Sequence, residues 1–143
     1  MQEIELRGVS GLRSLCVKYD EILRRLPRAR GEMYEEIGRA VKAEVRERIG
    51  GTGKVQSWQE RYVGSKGGYA AVRPKKDTYQ STKKGTRYAV GYVTNAIENG
   101  RRTAGGGRVE GKRFYAGASS RAEAIAARSA ERFLSELKRW LEG

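Results

Sequence analysis

The apolar positions of this 143-residue chain fall into three stripes at helical spacing, with short alternating stretches between the second and the third. Leu12, Leu15, Cys16, Tyr19, Ile22, Leu23 and Leu26 recur every three or four residues, which places them on one face of a helix. Ser10 is positioned to cap that helix. Pro27 is expected to end it, because proline has no backbone N–H and restricts the residue before it. Met33, Ile37, Ala40, Val41, Val45 and Ile49 form the second stripe. Its helix begins near Gly31, with Glu32, Glu35 and Glu36 in the first turns and Arg46 and Arg48 toward the end, the distribution a helix dipole favours. Gly50-Gly51-Thr52-Gly53 closes it. The third stripe is Ala126, Ala130, Phe133, Leu134, Leu137 and Leu141, and Ser120 with Glu123 matches a capping box at its start. At 1.5 Å per residue this helix would run roughly 33 Å.

Between these helices the period changes to two. Val55 to Val63 and Tyr69 to Arg73 flank the turn residues Gly64 to Gly68 and predict a hairpin. Tyr88, Val90 and Tyr92 alternate with Ala89, Gly91 and Val93 and predict a central strand, followed by one helical turn from Asn95 that leaves through Asn99-Gly100. Glu3 to Leu6 predicts a short edge strand, and Val109 to Tyr115 a last extended segment anchored by Phe114 and Tyr115. The stretches from Lys75 to Gly85 and from Arg101 to Arg108 read as exposed basic loops, the second one mobile. The pattern therefore predicts one α+β domain over residues 1–143, an antiparallel sheet packed against two N-terminal helices and one long C-terminal helix.

Charge sharpens this picture. The chain carries a net charge of +13, unevenly spread. Residues 1–50 hold 11 Lys and Arg against 9 Asp and Glu, and residues 119–143 hold 5 against 4, whereas residues 51–118 hold 14 against 4. A basic surface on the sheet and loops attracts nucleic acid or an acidic protein face. The lone Cys16 has no partner within the chain and there is no His, so no disulfide, Cys/His metal set or bound cofactor is expected, and synthesis in a reducing cytoplasm is. No apolar run approaches the length of about 20 residues that spans a bilayer, and the start MQEIELRG lacks the apolar core of a signal peptide.

Catalytic chemistry finds little footing. Cys16, on an apolar stripe, reads as a small buried hydrophobe. Glu98 has no second carboxylate placed beside it, and a structural role, accepting hydrogen bonds from the following turn, is the expected one. The glycine-rich stretches lack the Gly-Lys-Ser/Thr ending of a phosphate loop and read as turns. Lys and Arg between residues 66 and 113 are interleaved with Trp58, Tyr62, Tyr69, Tyr79 and Tyr88, the composition of a nucleic-acid-binding module; aromatic residues in strands are equally expected to be core or cross-strand partners.

The order of parts also carries a resemblance. An ELRG-like opening with two helices leads into a basic hairpin region, then YVTNAIENG, then GKRFYAGASSRAEAIA and a C-terminal helix. This resembles the tail-completion or tail-component family of siphophages, including the minor tail protein Z type, found in phages and prophages. The family's strand running into a short turn with Glu before Gly is matched by Ile97-Glu98-Asn99-Gly100, and its aromatic lead into the last helix by Arg113 to Ala118. After the second helix, where many members have a TGxL-type step, this chain has Gly51-Thr52-Gly53-Lys54-Val55.

The resemblance implies a structural, non-enzymatic protein of the head–tail junction or tail, acting in tail completion and head–tail joining. It would be made in the host cytoplasm and carried in the virion. Its partners would be other neck and tail proteins, with a homo-oligomeric ring on assembly, non-specific contact with DNA and no membrane. The residues expected to make partner or DNA contacts are Lys75, Lys76, Lys83, Lys84, Arg101, Arg102 and Arg108, chosen for charge and exposure and not transferred from the family.

Overall fold

The computed structural model describes residues 9–51, 53–64 and 68–143, so the strand expected at Glu3 to Leu6 lies outside the described residues. The fold is α+β and helix-rich. Two long helices, α1 (Val9–Ile49) and α4 (Phe114–Glu142), run antiparallel. Val45 and Ile49 meet Phe114 and Ala118 at one end of the pair, Glu36 binds Arg132 midway, and Arg25 lies over the Trp140 ring near the other end.

The two expected N-terminal helices are one. Pro27 sits inside α1. A proline within a helix costs roughly 3 kcal/mol through the lost hydrogen bond and the ring's clash with the preceding turn. Burial on both sides of it offsets this: Ile22 and Ile37 are buried and Leu26 and Met33 half-buried. At about 25 cal/mol per Å2, two or three such side chains match the cost of the proline.

The N-terminal part of α1 is not covered in the same way. Leu15, Val17, Tyr19 and Leu23 remain exposed, and so does Cys16, which corrects the expectation of a buried thiol.

Among the described residues the strands form three separate two-stranded antiparallel hairpins in place of one sheet. After the short α2 (Lys54–Ser57), β1 (Gln59–Val63) pairs with β2 (Ala70–Pro74) in the register Gln59 opposite Pro74 and Val63 opposite Ala70. This is the hairpin the sequence predicts, with Lys54–Ser57 helical where a strand was expected. It lies along α1, where Arg61 pairs with Glu35 at 2.8 Å and Gly38 leaves only 3.4 Å between an added Cβ and the Cβ of Arg61. β3 (Tyr79–Ser81) pairs with β4 (Arg87–Ala89), and β5 (Gly100–Arg102) with β6 (Arg108–Glu110).

The expected central strand at Tyr88 to Val93 is overturned beyond Ala89, because Val90–Asn99 is helix α3. Its buried residues Val90, Thr94 and Glu98 are spaced four apart, the period of a helix facing a core. Helix α4 likewise starts earlier than expected, at Phe114, so Ser120 and Glu123 lie inside it and do not form its cap. Ser120 Oγ instead bonds back to the Gly117 carbonyl at 3.5 Å.

The core cluster is Val45, Ile49, Phe114 and Ala118, with Val41, Val55, Val72, Ile97 and Tyr115 packed against it. It lies where the C-terminal end of α1 meets the N-terminal end of α4. The two outer hairpins flank α3, one at each of its ends.

Candidate functional site

Two hairpin arms are planted at the two ends of α3. The first runs from Lys75 through β3 and β4 to Ala89, and the second from Gly100 through β5 and β6 to Arg113. Both are exposed almost throughout: every residue from Ser81 to Ala89 and from Arg101 to Glu110 is open to solvent.

Their turns are built alike. In the first, Thr82 N–H donates to the Thr86 carbonyl at 2.8 Å and Gly85 N–H to the Thr82 carbonyl at 3.0 Å. In the second, Thr103 N–H donates to Gly107 at 2.8 Å and Gly106 N–H to Thr103 at 3.1 Å. Gly85 and Gly106 take φ of +83° and +85°, the left-handed conformation that ends a three-residue hairpin loop and that glycine adopts without strain. The pattern Thr-x-x-Gly thus closes both arms, and the second, expected as a loop, is a paired hairpin.

The roots of the arms are tied into the core. Val90 N–H donates to the Thr78 carbonyl at 2.9 Å, holding the first arm to the start of α3. At the second, Lys112 N–H donates to Ile97 and Arg113 N–H to Glu98, at 2.8 and 3.2 Å. Gly100 and Gly111 make this crossing passable. An added Cβ on Gly100 would sit 2.6 Å from the Val109 carbonyl oxygen, and one on Gly111 would sit 2.6 Å from the Asn99 carbonyl carbon.

Glu98 completes the junction. It is 7% exposed, and its Oε2 and Oε1 accept the backbone N–H groups of Tyr115 and Ala116 at 3.0 and 3.1 Å. The N-cap residue of α4, Arg113, has φ 51° and makes no side-chain cap bond, so a carboxylate from α3 does the capping. The structural role expected for Glu98 holds, though the donors belong to the last helix and not to the turn after it. Tyr115 is shaped by the same corner: partial burial, and then the Glu98 charge, push its phenol up from 10 to about 12, while its hydrogen bond to Gln59 pulls the other way. Gln59, itself buried, is held by a bond from its amide to the Val55 carbonyl at 3.1 Å.

Onto this frame the structure places the seven predicted contact residues. Lys75 and Lys76 stand at the root of the first arm and Lys83 and Lys84 at its tip; Arg101, Arg102 and Arg108 lie on the strands of the second. All are exposed. Arg87, Lys112 and Arg113, counted among the interleaved basic residues of the sequence but not among those seven, are exposed on the same two arms. Each arm therefore carries five cations against one carboxylate, a net +4 apiece and +8 of the chain's +13. Among the described residues none of these ten cations is in an ion pair, whereas Arg25, Arg28, Arg48, Arg61, Arg73 and Arg132 of the body all are.

The aromatic residues of this region are partly engaged. Arg87 lies over the Tyr79 ring at 4.6 Å, and Tyr88 stacks on Tyr92 with centroids 6.1 Å apart and planes at 14°. No described helix is long and apolar enough to cross a membrane. A scan against protein-family models, a search of curated proteins and a search of solved structures each found no match.

Proposed function

We propose that this chain is a structural protein of the head–tail junction or tail of a phage or prophage, working by assembly with other neck and tail proteins. The observation that supports this best is the pair of exposed basic arms rooted at opposite ends of one core helix. Unpaired charges on projecting hairpins stabilise nothing within the chain itself, which fits a surface that is completed by a neighbour. The locked roots keep the arms in a defined direction, and the entropic cost of ordering them on assembly is correspondingly small.

The test is a double charge reversal, Lys83→Glu with Lys84→Glu, at the tip of the first arm in a phage or prophage carrying this gene. Heads and tails should accumulate unjoined while the purified variant keeps the wild-type unfolding curve. Infectious particles in normal yield would remove the arm as the contact surface.

A further inference from the structure

The cavities and clusters of the body point to no ligand. The open groove of about 1070 Å3 between α1 and α4 is lined by arginines and glutamates that largely satisfy one another, among them Arg25 with Glu21, Arg28 with Glu32 and Arg132 with Glu36. The arms differ in this respect.

We infer that the two arms together form a binding surface for the phosphate backbone of duplex DNA. The assignment rests on the arms being the contact surface, as in the reading above, and names what they contact. Three observations carry it. The first is charge: ten cations on two short hairpins, none in an ion pair among the described residues, whereas six arginines of the body, Arg25, Arg61 and Arg132 among them, are paired. The second is residue type. Four of the five cations on the first arm are lysines, which are depleted in protein–protein interfaces but serve phosphates well as point charges, and four of the five on the second are arginines, which bind phosphate bidentately. The third is shape. Each arm is a two-stranded β-ribbon, a form that the major groove of about 12 Å admits, and the roots of the arms are separated by the length of α3, ten residues or about 15 Å.

Duplex is favoured over single strand by the state of the tyrosines. A single-strand surface offers free aromatic faces to unstacked bases. Here one face of Tyr79 carries the Arg87 guanidinium and Tyr88 packs beside Tyr92, so each of these rings, though partly exposed, has one face already engaged. Of the ten cations Arg87 alone makes such a ring contact among the described residues.

The experiment is a fluorescence titration of the purified full chain with a duplex of about 30 base pairs, roughly three helical turns, and with a single strand of the same length, at salt from about 50 to 200 mM. If about five of the ten cations sit on phosphates, the logarithmic salt slope for duplex is about −4.5, a loss of affinity of roughly 500-fold over that range. Replacing Lys83, Lys84, Arg101 and Arg102 by Ala should weaken duplex binding at the lowest salt more than tenfold and bring the slope about 1.8 to 3.6 closer to zero, as two to all four of them are among the five. A matched variant, with Arg13, Arg39, Arg121 and Arg128 replaced by Ala, removes the same charge from the two long helices and should keep the wild-type slope.

Equal losses in the two variants would mean generic attraction to a basic protein and would overturn the assignment. So would tighter binding to the single strand, or no binding at the lowest salt, the result expected if the arms meet only acidic protein. Lost duplex binding together with normal head–tail joining in the Lys83→Glu, Lys84→Glu variant would leave this inference standing while the assembly reading fell.

Discussion

Glu98 and Tyr115 meet through a carboxylate and a backbone N–H: Oε2 of the one accepts the amide proton of the other at 3.0 Å, and Oε1 takes the next amide along. One side chain on α3 thereby caps a 29-residue helix that begins sixteen residues later. Truncation in Glu98→Ala leaves two donors without acceptors in a half-buried corner. The expected loss is about 2–3 kcal/mol in urea unfolding, with Glu98→Gln, which keeps one acceptor, falling about halfway. A change under about 0.5 kcal/mol for the alanine variant would show that water caps the helix equally well.

Gly111 lies against the backbone of Glu98, Asn99 and Gly100, all of it inside the space a Cβ would take. None of these is the flexible end of a side chain. Gly111→Ala must push the root of the second arm away from α3, and it is expected to cost more than about 2 kcal/mol. Gly105→Ala, in open space at the tip of the same arm, should stay within about 0.5 kcal/mol and serves as the comparison.

Tyr115 links stability to alkaline pH. Its phenol ionises near 12 when folded and near 10 when free. The folded state thus favours the protonated form, so the associated stability is complete below about pH 10 and is lost as pH rises toward 12. The urea midpoint should drop across that window in the wild type. Tyr115→Phe, which cannot ionise there, should show a shallower decline, and parallel curves for the two proteins would refute the assignment.

Pro27 is a cost the long helix carries. It is exposed, so Pro27→Ala restores a hydrogen bond without disturbing a packed side chain. The expected gain is about 1–3 kcal/mol, together with increased helical circular dichroism. A destabilised variant would mean that the proline's effect on the path of the helix is needed for Arg25 and Trp140 to meet.

What the sequence disclosed follows from how local each signal is. The β1–β2 hairpin and the final helix were legible because turn glycines and a single apolar stripe define them without reference to the rest of the fold. The joining of the first two stripes was not, since the proline's local cost is visible in the sequence whereas the burial of Ile22 and Ile37 that offsets it is tertiary. At Tyr88 to Val93 two periods compete. Tyr88, Val90 and Tyr92 suggest a strand, yet Val90, Thr94 and Glu98 recur every four residues, and that helical signal was there to be found. The basic residues proposed for contacts were legible as charge. Their division into two arms was not, because strand pairing is decided by the Thr-x-x-Gly turns and by where the chain crosses itself at Gly100 and Gly111.

That crossing makes the second arm a closed detour. The chain enters at Gly100 and returns at Gly111 to almost the same place, and α3 and α4 are already stitched by bonds that do not involve the stretch between. Residues 101–110 are therefore separable from folding: the arm can be lengthened, shortened or exchanged while the helices keep their junction. Ala104-Gly105 at its tip is a natural point of attachment for a fluorophore or an epitope, a handle on the outside of the molecule that its core need never register.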